Sequence, residues 1–184
     1  MLRISRKCLV MFVSLIAVAF LAGCNTAPRT SEGKADIIAE CNAALRLAHS
    51  TDSSLDGVLR KAAGYAVFPS VGKGAIGVGG AYGKGVLYQM GQPIGYCDLS
   101  QGTIGLQFGG QSYCQIIAFE TQQAVTEFKE GNFRFAAQAT AVALKSGAGT
   151  NAKYTDNVAV FTMDEAGLMY EASIGGQKFS YQPM

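Results

Sequence analysis

The chain has 184 residues, of which 49% are apolar and 15% charged, with a formal net charge of +2. That length and apolar content suit one domain with a sizeable core, and the near-neutral balance excludes the concentrated basic surface that nucleic-acid binding needs. A single histidine leaves little material for catalysis or metal binding.

The first residues stand apart. Arg3, Arg6 and Lys7 precede an apolar run from Leu9 to Leu21 broken only by Ser14. That run, about 13 residues, is too short to span a bilayer and matches the apolar core of a signal peptide. Leu21-Ala22-Gly23-Cys24 follows and resembles the lipobox of bacterial lipoproteins. The resemblance implies cleavage before Cys24, a diacylglyceryl thioether on its sulfur and an acyl group on its new amine. Anchoring through several acyl chains is stable without further signals. Residues 1–23 are thus expected to be a lipoprotein signal peptide, 24–33 a lipidated cysteine with a tether, and 34–184 the domain. Fifteen basic residues less these three leave twelve against thirteen acidic, so the processed chain carries about −1. Asn25 after the anchor favours the outer membrane, with the domain periplasmic or surface-exposed.

From Lys34 to Ser50, the apolar residues Ile37, Ile38, Cys41, Leu45 and Ala48 recur at helical spacing and predict an amphipathic helix. Ser53 or Ser54 is placed to cap a second helix carrying Leu55, Val58, Leu59 and Ala62, with Asp56 in its first turn and Gly64 at its end. Tyr65 to Phe68 reads as a short strand stopped by Pro69. From Gly74 to Phe119 glycines recur every few residues while apolar residues alternate. Ile76, Val78, Tyr82, Val86 and Tyr88 share one face, and the other face is nearly bare, carrying mostly glycine. Turn signals at Gly91-Gln92-Pro93, Ser100-Gln101-Gly102 and Gly109-Gly110-Gln111 then predict an antiparallel meander. Thr121 caps a short helix holding Ala124, Val125 and Phe128, which ends near Gly131. Phe133 to Leu144 fits helix and strand equally, Ser146 to Thr155 reads as a polar loop, and Val158–Met163, Leu168–Ser173 and Gln177–Tyr181 read as three strands.

Cys41, Cys97 and Cys114 remain in the domain. Strands Ile94–Asp98, Gly102–Gly109 and Ser112–Phe119 in a meander place Cys97 and Cys114 about 10 Å apart across a middle strand, beyond the reach of a disulfide.

Laid out this way, the chain resembles a SYLF domain, also called the Ysc84 family. The resemblance is carried by Ala66-Val67-Phe68-Pro69-Ser70-Val71, by Gly77-Val78-Gly79-Gly80-Ala81-Tyr82-Gly83-Lys84-Gly85-Val86, by Gly102 to Gln111 and by Gly167-Leu168-Met169-Tyr170-Glu171-Ala172-Ser173. It covers Lys34 to Phe179. It implies a non-enzymatic lipid-binding module whose ligand is an anionic phospholipid or phosphoinositide-like lipid. The expected fold is α+β: a curved antiparallel sheet or barrel-like meander with two N-terminal helices and one later short helix packed on it.

Gly72-Lys73-Gly74-Ala75-Ile76-Gly77 also fits G-x-G-x-x-G. A dinucleotide loop must open a helix, and here a strand pattern follows, so the glycines are read as room for close backbone approach. A P-loop fails because Val78 stands where its first glycine belongs and Gly85 replaces its Ser or Thr. His49, at the end of the first helix, suits the helix dipole and has no partners that commit it to a triad. No catalytic, metal or cofactor site is therefore expected. The basic residues Arg60, Lys61, Lys73 and Lys84 are the candidate lipid-binding set, expected to gather on one rim and meet phosphate head groups. The competing expectation is a structural or protein-interaction module of the envelope, with the lipid only a tether and its protein partner unknown.

Overall fold

The structure, a computed structural model, describes residues 26–76, 78–104, 109–133, 141–150, 152–164 and 176–184. The signal sequence, Cys24, Gly77, most of the ambiguous 133–144 stretch and the expected strand Leu168–Ser173 lie outside the described residues. Helices α1 (Ser31–Thr51) and α2 (Leu55–Lys61) precede strands β1 (Gly64–Ile76), β2 (Val78–Gln89), β3 (Gln92–Ile104) and β4 (Gly109–Phe119). Helix α3 (Gln122–Lys129) and strands β5 (Val142–Ala143), β6 (Val158–Asp164) and β7 (Gln177–Pro183) complete the order.

The helices form for local reasons. Thr30 caps α1 by accepting from Gly33 N, and Ile37, Cys41, Ala44 and Ala48 bury one stripe of it. Thr121 caps α3 by accepting from Ala124 N, as its position predicts. The cap of α2 departs from expectation. Ser54 makes no side-chain cap bond, and the corner is held by Asp52, whose carboxylate accepts from Ser54 N and Oγ and from Gly147 N and Gly149 N. This latches the 146–150 loop onto the α1–α2 turn. The helix closes at Ala62 rather than Gly64, which already belongs to β1. The expected tether is also different in kind. Thr26 and Ala27 are buried against β7, with Thr26 Oγ1 3.0 Å from Ser180 Oγ and Ala27 N donating to Gln182 Oε1.

The strands form one seven-stranded sheet in the order β5-β6-β4-β1-β2-β3-β7, antiparallel except for the β5–β6 pair. The curved α+β fold is as expected, and the simple meander is not. The hairpin at Met90-Gly91 lies where a turn was expected, but β3 runs through Ser100-Gln101-Gly102 without turning. Gly109 to Gln111 begin β4, and β4 pairs with β1 instead of β3. Strand β1 likewise runs past Pro69. Its register slips between Val67 and Ser70 against β2 and between Phe68 and Val71 against β4, so the proline falls where a missing ladder donor costs least.

Gly85 lies opposite that slip. A Cβ there would run into Val67 O and stand 2.8 Å from Phe68 Cδ1, and one on Gly83 would stand 2.8 Å from Val71 Cγ2. The bare glycine face of β2 is thus what lets β1 bulge inward.

The sheet buries both faces. On one, the aromatic face, Phe68, Phe119, Phe133 and Phe179 cluster with Phe128 of α3, neighbouring ring centroids lying 5.0–6.3 Å apart. On the other, the helix face, α1 and α2 cover Val67, Val86, Tyr88, Tyr96, Ile116 and Phe161. The curl is measurable. Gln115 on β4 and Gln177 on β7 exchange hydrogen bonds of 3.0 and 3.2 Å, although three strands separate them. Laid flat, those strands would be about 19 Å apart. The sheet therefore wraps around the aromatic face.

Cys41, Cys97 and Cys114 are free and buried. Cys97 and Cys114 are separated by β1 and β2 and belong to opposite faces, a stronger reason against a bridge than the expected meander provided. Burial pushes the Cys41 thiol up to about 12, as befits an inert packing residue.

Candidate functional site

The expected basic rim is divided by the pleat. Directly opposite residues of an antiparallel pair share a face. Lys73 is opposite Ala81, which belongs to the aromatic face, whereas Lys84 is opposite Ser70 and Asp98 and shares parity with Val86 and Tyr88 of the helix face. The two lysines therefore lie on opposite sides of the sheet. Arg60 and Lys61 are exposed in the last turn of α2, beside Gly64 at the start of β1. Lys73 is nine residues further along that strand, about 30 Å away. Arg60 and Lys61 are the one pair brought together, and adjacency in sequence already ensured that.

Around Arg60 the structure adds what the charge pattern lacked. The α1–α2 corner and the β2–β3 hairpin enclose a groove of about 600 Å³. Its floor is apolar, formed by Leu45, Leu55, Leu59, Ala62 and Tyr65, with Arg60 and Asp56 on its wall. Tyr65 is held by stacking on Tyr88 at 5.1 Å and 7°. Met90 stands at the mouth, 96% exposed at the hairpin tip. Asp56 is engaged by His49, whose Nδ1 lies 2.8 Å from Asp56 Oδ2. That contact gives the single histidine a role in joining α1 to α2 at an exposed position. No signal in the sequence linked Leu45, Tyr65 and Met90, because the groove needs a helix, a strand and a hairpin to converge.

A second groove of about 580 Å³ flanks the other side of α1, between Leu47, Pro69, Cys114 and Met163. Among the described residues Glu40 is its one charged lining residue, the wrong sign for an anionic head group.

Lys84 belongs to a polar knot on the helix face. Its cross-strand neighbour Asp98 is 5% exposed and lies opposite Ser180 of β7. Burial raises the Asp98 carboxyl above its ordinary range, while Lys84 and hydrogen bonds from Thr26, Tyr82 and Ser180 pull the other way. Asp98 Oδ1 has no hydrogen-bond partner among the described residues. Among those residues no three of His, Cys, Asp or Glu gather as a metal site, and no helix is long and apolar enough to cross a membrane. The G-x-G-x-x-G residues Gly72 to Ile76 end β1, and β2 begins at Val78, so strand and not helix follows the glycines.

Residues 100–183 match the Ysc84 family, described as a Las17-binding protein actin regulator. The match takes in β4, β6, β7 and the Gly102 to Gln111 motif, and it supports the SYLF assignment made on the motifs. No curated protein matches the chain.

Proposed function

We propose that this chain, whose residues 100–183 match the Ysc84 (SYLF) family, is a non-enzymatic, membrane-anchored lipoprotein whose domain binds an anionic lipid. The carrying observation is the groove beside α2: an apolar floor for an acyl chain, with Arg60 on its wall and Lys61 next to it for a phosphate head group. The lipobox-like Leu21-Ala22-Gly23-Cys24 supports anchoring through Cys24 in the bacterial envelope, and Asn25 favours its outer membrane. Residues 25–184, which contain every element described above, should sediment with phosphatidylglycerol vesicles at low salt. R60E with K61E should reduce the bound fraction about tenfold without changing the melting temperature. Failure of the unsubstituted domain to sediment overturns the reading.

A protein-interaction module of the envelope is the second reading, and the family description favours it because that description names protein binding. Crosslinking that recovers one stoichiometric protein, with no vesicle binding, would establish it.

A further inference from the structure

We propose that the surface held against the anchoring bilayer is the part of the helix face that α1 leaves open, where Tyr82, Ser100 and Lys178 form one row across β2, β3 and β7. The inference rests on the anchored reading above, independently of what the Arg60 groove binds, and adds which side of the domain meets the membrane.

The row follows from register. Tyr82 is opposite Ser100, and Ser100 is opposite Lys178. The next row is Lys84, Asp98 and Ser180. Tyr82 is 45% exposed, and Ser100 and Lys178 are exposed. The patch thus offers the edge of the Tyr82 ring, whose hydroxyl is turned to Asp98, and Lys178 on a long apolar stem, side chains suited to a head-group layer. Its one strand carboxylate, Asp98, is buried beside Lys84, which leaves Lys178 as the exposed strand charge of the patch.

The attachment point lies beside it. Thr26 and Ala27 are docked on Ser180 and Gln182 of β7, in the same sheet region. Only Asn25 separates Thr26 from Cys24, so a lipidated Cys24 reaches no more than about 7 Å from the docked Thr26. A chain anchored there cannot stand off from the bilayer. Asp98, opposite Ser180, lies six residues up β3 from Gln92, which puts the hairpin and the Arg60 groove about 20 Å from the anchor along the sheet. The anchor therefore presses the Tyr82–Lys178 patch to the membrane and leaves the groove mouth at Met90 away from it.

The test uses the full lipidated chain in membranes carrying a spin-labelled phospholipid quencher. Single cysteines at Lys178 and at Met90 carry a fluorophore; the native Cys41, Cys97 and Cys114 are buried. The probe at Lys178 should be quenched at least fivefold more than the probe at Met90. Inserting twelve Gly/Ser residues between Asn25 and Thr26 should abolish that preference, because the reach then grows to about 20 Å. Stronger quenching at Met90, or none at either site, overturns the inference. Membrane fractionation separates the two readings: a chain absent from membranes defeats the anchored function itself, whereas a membrane-bound chain with the wrong quenching order defeats only the face assigned here.

Discussion

The two faces of the sheet are built on opposite plans. The aromatic face is concave, closed by α3, and filled by five phenylalanines with the Gln115–Gln177 couple satisfying its buried amides. The helix face is covered by α2, through Leu55, and by α1, which approaches closely through Cys41, Ala44 and Ala48, but the two do not reach across the sheet. Complete burial makes the first face the source of stability, and incomplete cover makes the second the place where grooves and an open patch occur. Stability and recognition are thus assigned to opposite sides of one layer.

The sharpest way to break that division is Phe128→Ala. Phe128 is fully buried against Phe119, Phe133 and Phe179, so its loss should cost about 4 kcal/mol in urea denaturation. Ser100→Ala on the open helix face should change stability by under about 0.5 kcal/mol.

A smaller contrast lies in two glycines of the same hairpin. Gly85→Ala should cost about 2 kcal/mol, because its Cβ enters the bulge of β1 on the aromatic face. Gly72→Ala should be neutral or stabilise by about 0.5 kcal/mol, since its Cβ meets only Tyr82 O at 4.0 Å. Equal melting temperatures for the two variants would remove the bulge as the reason for glycine in β2.

The smallest effects concern the two buried carboxylates that tie the edges of the helix face, and they have opposite signs. Hydrogen bonds, first that from Gly149 N, hold Asp52 down at about 2 from its ordinary 3.8. Its contribution is present above pH 4 and is lost as pH falls toward 2. Asp52→Asn should therefore be less stable by about 1 kcal/mol at pH 7, the gap closing in acid. Asp98 is raised by burial, so its burial is best tolerated below the ordinary carboxylate range and opposes folding as pH rises through the raised value. Asp98→Asn should gain up to about 1 kcal/mol at pH 7, and the gain should vanish at pH 3. Melting curves from pH 2.5 to 7 read both signs.

Local features were legible in the sequence. The α1 stripe, the Thr121 cap, the turn near Gly91 and the final strand at Gln177 each depend on residues within a few positions of one another. Three expectations failed together because each depended on a neighbour distant in the chain. Pro69 signals a stop only when a ladder donor is needed there, and the register slip removes the need. Gly102 signals a turn only for an unsupported strand, and β3 is held on both sides by β2 and β7. The basic rim treated spacing along the chain as proximity, whereas the pleat sends Lys73 and Lys84 to opposite faces. Thr26 reads as tether from its polar neighbours, which carry no hint of Ser180, 154 residues away.

The sequence alone determined the elements with short-range causes, the glycine-rich strands and the family motifs, because capping, periodicity and backbone freedom are properties of neighbouring residues. Tertiary structure alone decided that β4 returns beside β1, that the sheet wraps the aromatic face, and that Arg60 borders an apolar groove. Those outcomes follow from which apolar surfaces pack together, and burial is shared between segments whose separation along the chain carries no record of their meeting.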